Sequence, residues 1–185
     1  VLRLKSRSVK LFRRALQSLD VVFVRGYVTK SVVEEFTGRK CFVALDSSFV
    51  IRDIVRVNKK SNGSRYRIVV IPRKDYFINF GRMGEYFEYL KVLRMLARAV
   101  ASKYDVEFII TIHEIRTLDL NALRDVVKAL KIVNNAKIIV PKTLVEDIVN
   151  FASADLVITC RLHAGIVALS YGVPALFTLL PGDVR

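Results

Sequence analysis

One seven-residue run, Val106–Ile112 (VEFIITI), is apolar or β-branched at every position but one. A strand with one wet face alternates apolar and polar residues. A strand without that alternation is buried on both faces, which points to a parallel sheet packed between layers of helix. Tyr66–Ile71 (YRIVVI), closed by Pro72, and Ala136–Val140, Asp155–Thr159 and Ala175–Leu179 read as four more strands. Between them lie segments of helical period. Tyr86, Tyr89, Leu90, Leu93, Ala97 and Val100 fall on one helix face, and Leu120, Leu123, Val127 and Leu130 on another. Thr143 with Glu146 forms a capping box ahead of a third helix, and Leu162–Tyr171 is a fourth, stopped by Gly172. Regular strand–helix alternation predicts right-handed βαβ units. The fold class is therefore α/β, a Rossmann-like parallel sheet with helices on both faces.

Ahead of this series, Ser8–Leu19 reads as a helix, Asp20–Arg25 and Cys41–Leu45 as strands, and Ser31 with Glu34 as a capping box whose helix Gly38 stops. Two strands are too few for a sheet of their own. Residues 1–57 are thus expected to be the end of an N-terminal α/β domain (two βα units), 58–65 a linker, and 66–185 a C-terminal Rossmann-like domain. The first residue is Val, so the chain is expected to be a trimmed piece of a longer one.

The 185 residues carry 31 Lys and Arg against 17 Asp and Glu, a formal net charge of +14. Arg3, Lys5, Arg7, Lys10, Arg13 and Arg14 precede the first acid, Asp20. A second cluster holds Arg52, Arg56, Lys59, Lys60, Arg65, Arg67, Arg73 and Lys74, with Asp53 as its only acid. Such a field attracts anions, whether phosphorylated small molecules, nucleic acid or an acidic membrane. Nucleic acid is disfavoured, because Phe12 and Tyr66 are the sole aromatics within the clusters, too few for a stacking platform, and the clusters match no recognition motif. Two cysteines, Cys41 and Cys160, are too few for a disulfide framework, and no apolar run is long enough to span a bilayer. A reducing, cytoplasmic compartment is expected. No metal-ligand spacing is visible, and no metal or cofactor is expected.

Ligands of open parallel sheets sit beyond the carboxyl ends of the strands. There, after the strand ending at Thr159, stand Cys160, Arg161, Leu162 and His163. A helix N-terminus beside an arginine is suited to an anion. Arg161 offers a planar fork for a carboxylate or phosphate, the Leu162 N–H belongs to the helix start, and His163 can donate a proton near neutral pH. The competing readings are an Arg161 paired with Asp155 or Asp183 and a His163 that packs or caps. Arg73 after Ile71-Pro72, and His113 with Glu114 after Ile112, also lie at this edge. For His113, an exposed loop position is the alternative.

The segment from Asp155 to Pro174 spells D-L-V-I-x-x-R-L-H-A-x-I-x-A-x-x-x-G-V-P. It closely resembles the C-terminal signature of the polysaccharide pyruvyl transferases. Asp20–Arg25 with Thr29, Ser31 and Gly38, then Leu45-Asp46-Ser47-Ser48-Phe49, then Ile71-Pro72-Arg73 resemble earlier passages of that family, in its order. The resemblance implies half of a GT-B-like two-domain fold. It also implies transfer of pyruvate from phosphoenolpyruvate to a sugar of a cell-surface polysaccharide precursor, as a ketal. On this reading Arg161 is the main anion clamp and Arg73 a second. Leu162 and His113 complete the binding residues, and His163 is the phosphate contact or the acid that protonates the enol carbon. The partners implied are phosphoenolpyruvate and a glycan or glycolipid acceptor, with peripheral contact to an anionic membrane through the basic clusters.

Three departures from the family pattern stand out. Gly26 replaces an acidic residue, Leu179-Leu180-Pro181-Gly182-Asp183 replaces a Tyr and a Lys, and no Gly-rich N-terminal turn is present. The chain on its own is expected to bind without necessarily turning over. The alternatives are a GT-B glycosyltransferase using a nucleotide sugar and a basic, non-catalytic binding module.

Overall fold

The computed structural model describes residues 6–58, 65–112, 117–131 and 135–178. The chain divides into two compact units, Val1–Ser47 and Ser48–Arg185.

In the smaller unit, helix α1 (Ser6–Gln17) is followed by strand β1 (Phe23–Val24), helix α2 (Tyr27–Thr37) and strand β2 (Phe42–Val43). Against the expectation that two strands are too few for a sheet of their own, they pair in parallel as a separate two-stranded sheet, Phe23 opposite Phe42. Helix α2 begins four residues before the capping box expected at Ser31. Gly26, in extended conformation, takes the N-cap without a side-chain bond. Ser31 sits inside the helix and donates to the Tyr27 carbonyl at 3.1 Å. Glu34 instead accepts from the Cys41 N–H at 2.8 Å, so it fixes the entry to β2 rather than the helix start. Gly38 ends the helix as expected, at φ 70°.

The larger unit opens with a 3₁₀ turn (Ser47–Val50) and helix α3 (Ile51–Ile54). Strand β3 (Tyr66–Ile71), helices α4 (Asp75–Asn79) and α5 (Met83–Ala101), strand β4 (Val106–Thr111), helix α6 (Thr117–Leu130), strand β5 (Ala136–Ile139), helix α7 (Leu144–Ala152), strand β6 (Leu156–Thr159), helix α8 (Leu162–Ser170) and strand β7 (Ala175–Phe177) follow. The sheet order is β5-β4-β3-β6-β7, and every pair is parallel. The chain thus runs outward from β3 to one edge, then returns to β3 and runs to the other. Successive strand residues face opposite layers. Ile68, Val70, Phe108, Ile110 and Ile158 pack with Leu93, Ala97, Leu123, Val126 and Leu130 of α5 and α6. Val69, Ile71, Ile109 and Val157 pack with Phe151, Ala164 and Ala168 of α7 and α8. This two-sided burial is the physical reason for the apolar runs of the inner strands β3, β4 and β6, whereas the edge strands β5 and β7 leave Ile138 and Leu176 about half exposed. Leu120, expected on the packed stripe of α6, is 37% exposed; Ala122 and Val126 are buried instead.

Thr143 caps α7 by accepting from the Glu146 N–H at 3.2 Å, and the Glu146 carboxylate reaches back to the Lys142 N–H at 2.7 Å. Helix α8 is held from two sides. Tyr171, at its C-cap, donates its hydroxyl to the Val55 carbonyl after α3. On the sheet side, Gly165 lies against the Phe177 ring so closely that a methyl group built on it would overlap the ring. Gly165→Ala therefore forces Phe177 aside. It is expected to lower stability by about 1–2 kcal/mol in urea unfolding, despite the better helix propensity of alanine. Phe177→Leu should recover part of that loss.

Candidate anion-binding site

The sheet reverses its direction of growth between β3 and β6, and this switch point is where open α/β sheets leave a crevice beyond their strand ends. Ile71 of β3 is in register with Thr159 of β6. Arg73 and Arg161 each lie two residues past this matched pair, so neighbouring strands bring two arginines to the same edge of the sheet.

Buried Thr159 holds Arg161 in place. Its Oγ1 accepts from the Arg161 N–H at 2.9 Å and donates to the Arg161 carbonyl at 3.3 Å. Arg161 is the N-cap of α8, in extended conformation, and its side chain makes no capping bond. The first turn of α8 contains no acidic residue. A cation at a helix N-terminus faces the positive end of the dipole and is unfavourable by about 0.3–1 kcal/mol. Asp, Ser or Thr would stabilise the helix better there. An arginine in that place, over first-turn N–H groups, is suited to an anion lying on the crevice side. Leu162 begins the helix and is exposed, and His163 beside it is also exposed.

Arg73 leaves the end of β3 and binds Asp75 with both arms of its fork, Nε to Oδ1 at 2.9 Å and an Nη to Oδ2 at 3.2 Å. Lys74 binds Asp125 of α6 at 2.7 Å, and the Tyr86 hydroxyl donates to the same carboxylate oxygen at 3.1 Å. Cys160 is tied to the end of β3 by its N–H, which donates to the Ile71 carbonyl at 3.4 Å, and it lies close to both arginines. Its Sγ lies 2.8 Å from the Thr178 hydroxyl. Burial pushes the Cys160 thiol above its usual range, while Thr178, the Arg73 N–H and the charges of Arg73 and Arg161 pull it partly back. Both arginines therefore bear on one sulfur, which stays a thiol at neutral pH and is no nucleophile. Tyr89 of α5 stands on the other side of Cys160. Burial, then the neighbouring Cys160 and Tyr86, raises its phenol well above the ordinary value.

Several readings of the sequence are settled by this arrangement. Pairing of Arg161 with Asp155 is excluded, because Asp155 precedes β6 and Arg161 follows it. Six residue steps of extended chain carry them about 20 Å apart. The Asp155 carboxylate accepts instead from the Arg67 N–H at the opposite end of the sheet. Asp183, His113 and Glu114 lie outside the described residues. The second basic cluster is less bare than its sequence, since Arg65, Arg73 and Lys74 meet Asp105, Asp75 and Asp125. Sequence reasoning missed Asp75, Asp125, Thr159, Thr178 and Tyr89. The Arg-Lys-Asp run directly after a strand-ending proline was the available signal for Asp75. Among the described residues no group of three or more His, Cys, Asp or Glu is arranged to hold a metal, and no helix is long and apolar enough to cross a membrane.

The family model for polysaccharide pyruvyl transferase matches residues 4–178, nearly the whole chain. The chain belongs to the polysaccharide pyruvyl transferase family. The RLHA segment that carried the resemblance is the segment that builds the crevice, and the family is one of transferases. No curated protein matches the chain. Among solved structures, a protein of Listeria monocytogenes assigned as a UDP-N-acetylglucosamine 2-epimerase superposes with a TM-score of 0.59 at 16% identity, over 85% of this chain and 42% of that one. A structure of accessory secretory protein 1, 2 and 3 in Streptococcus pneumoniae gives a TM-score of 0.57 at 13% identity, over 93% of this chain and 34% of that one. The likeness is one of fold, a Rossmann-like α/β architecture of the GT-B type. The chain spans less than half the length of either neighbour.

Proposed function

We propose that this pyruvyl transferase family member binds phosphoenolpyruvate in the β3–β6 crevice and passes its pyruvyl group to a sugar diol of a cell-surface polysaccharide precursor. The observation that carries this reading is the pair Arg73 and Arg161, set at equal distances past matched positions on adjacent strands, with the start of α8 beside them. Phosphoenolpyruvate has a carboxylate and a phosphate, and each matches a guanidinium fork or a helix N-terminus. Arg161 and the Leu162 N–H hold one anionic group; Arg73 receives the other, and His113 joins them in binding. His163 gives a proton to the methylene carbon of the enol, which becomes a methyl group and leaves C2 electrophilic. One sugar hydroxyl adds to C2, phosphate departs with its bridging oxygen, and the second hydroxyl closes the ketal. One hydroxyl proton restores His163 and the other leaves with phosphate. The acceptor is a glycan or glycolipid, met in the cytoplasm at an anionic membrane surface that the basic clusters favour, and no metal or cofactor takes part.

Phosphate release from phosphoenolpyruvate in the presence of glycan acceptors tests the reading. His163→Gln is expected to lower kcat by about 10²–10⁴-fold while the Kd for phosphoenolpyruvate changes little. An equal loss in Kd and in kcat/KM would make His163 a phosphate contact instead. The same crevice would suit the diphosphate of a nucleotide sugar, and the fold of the Listeria neighbour favours that second reading. Cleavage of a nucleotide sugar, with phosphoenolpyruvate left intact, would establish it. Binding without turnover of either donor would make the chain a binding module.

A further inference from the structure

We propose that Asp75 is a built-in counter-ion that occupies the Arg73 fork until a ligand carboxylate or phosphate replaces it, so that the crevice admits ligands with two anionic groups in preference to those with one. This rests on the crevice being an anion site, as the proposed function requires, and it adds a residue that the sequence signature does not include.

Three observations lead to it. The Asp75 carboxylate meets both arms of the Arg73 fork, at 2.9 and 3.2 Å, which is the geometry a bound carboxylate would adopt. The Arg73 side chain is a third exposed and Asp75 less so, which leaves the pair within reach of water and of a ligand at this sheet edge. The loop that carries Arg73 is anchored independently. Lys74 turns the other way, to Asp125 at 2.7 Å, with its ammonium 5.2 Å from the centre of the Tyr86 ring, and Tyr86 ties Asp125 to α5. Arg73 therefore does not need Asp75 to hold its backbone in place. Asp75 is the first residue of α4, whose buried Phe77 is held against the Tyr86 ring of α5 at 5.1 Å, so the helix stays in place and only the Asp75 side chain has to turn away from the fork.

The consequence follows from charge. A ligand with one anionic group seats on Arg161 and the start of α8 and finds the negative Asp75 still in place near its far end. A ligand with a second anionic group at the right distance competes for the Arg73 fork and displaces Asp75. The carboxylate of the protein thus raises the threshold for single anions, the phosphate product among them.

Calorimetry with inorganic phosphate and, separately, with phosphoenolpyruvate tests this on the whole chain. Asp75→Asn keeps the shape of the side chain and removes its charge. It is expected to tighten phosphate binding by roughly 3–10-fold, the scale of a partly exposed charge pair. The gain should vanish in an Arg73→Gln background, and Asp75→Glu should keep the wild-type affinity. Asp75→Ser, with a thermal unfolding curve for each variant, guards against a folding defect. Unchanged or weaker phosphate binding in well-folded Asp75→Asn, or a gain that persists without Arg73, overturns the proposal. So does an absence of phosphate binding to every variant. Phosphoenolpyruvate that binds no better than phosphate, alongside the expected Asp75→Asn gain, would sink the donor assignment and leave the counter-ion standing.

Discussion

Arg161→Ala is expected to lower the affinity for phosphoenolpyruvate at least ~100-fold, a loss of about 2.8 kcal/mol, and to leave thermal stability nearly unchanged. Both halves of this expectation come from the same place in the fold. Arg161 stands at the strand end where the proposed ligand lies, and charge-assisted hydrogen bonds to that ligand are worth about 1.5–3 kcal/mol each. Its position at the N-cap of α8 sets its charge against the helix dipole, a term of about 0.3–1 kcal/mol that offsets stability lost with the side chain. Thr159 holds the residue through backbone groups, which alanine retains. A structural arginine would behave in the opposite way, with a lower melting temperature and little change in binding. Calorimetry beside a melting curve separates the two, and unaltered binding would end the clamp assignment.

Phe108→Ala should have the largest effect on stability, about 3–5 kcal/mol, with a lower midpoint in urea at an unchanged slope. Phe108 is 1% exposed on β4, opposite Ile68 of β3 and Ala136 of β5, and it packs into the layer formed by α5 and α6. Truncation leaves a cavity that rigid strands on both sides cannot close. A loss of that size is a large fraction of the 5–15 kcal/mol that holds a typical domain together. Phe108 is an interior residue of β4 and lines no part of the crevice, so the folded fraction should bind phosphoenolpyruvate with wild-type affinity. A loss under 1 kcal/mol would mean that this layer is loosely packed.

The strands were legible because burial on both faces leaves a run that only a parallel sheet explains. Val106–Thr111 and Tyr66–Ile71 show it most clearly. The Thr143–Glu146 capping box was legible because both of its partners are local. Ser31 and Glu34 have the same spacing, yet the Gly26 backbone starts that helix and Glu34 is taken by Cys41, a residue no local pattern connects to it. Arg161 and His163 could be placed at a strand end from sequence. The pairing of Ile71 with Thr159, which sets Arg73 beside Arg161, depends on strand order and is invisible to any window along the chain. The same holds for Lys74 and Asp125, which meet across 51 positions. Asp75 was missed for a different reason. It lies two positions from Arg73, but a short helix alone decides whether it turns toward that fork.

The contact between Gly165 and Phe177 indexes α8 like a key in a ward. Each residue advances an α-helix by about 100°, so a rotation of α8 by one position would bring the side chain of Ala164 or Ile166 against the ring. Only one azimuth fits. The first-turn N–H groups, almost a full turn away from Gly165, are therefore aimed by an aromatic ring they never touch. A ligand in the crevice would meet dipoles whose bearing was fixed when β7 closed over the helix.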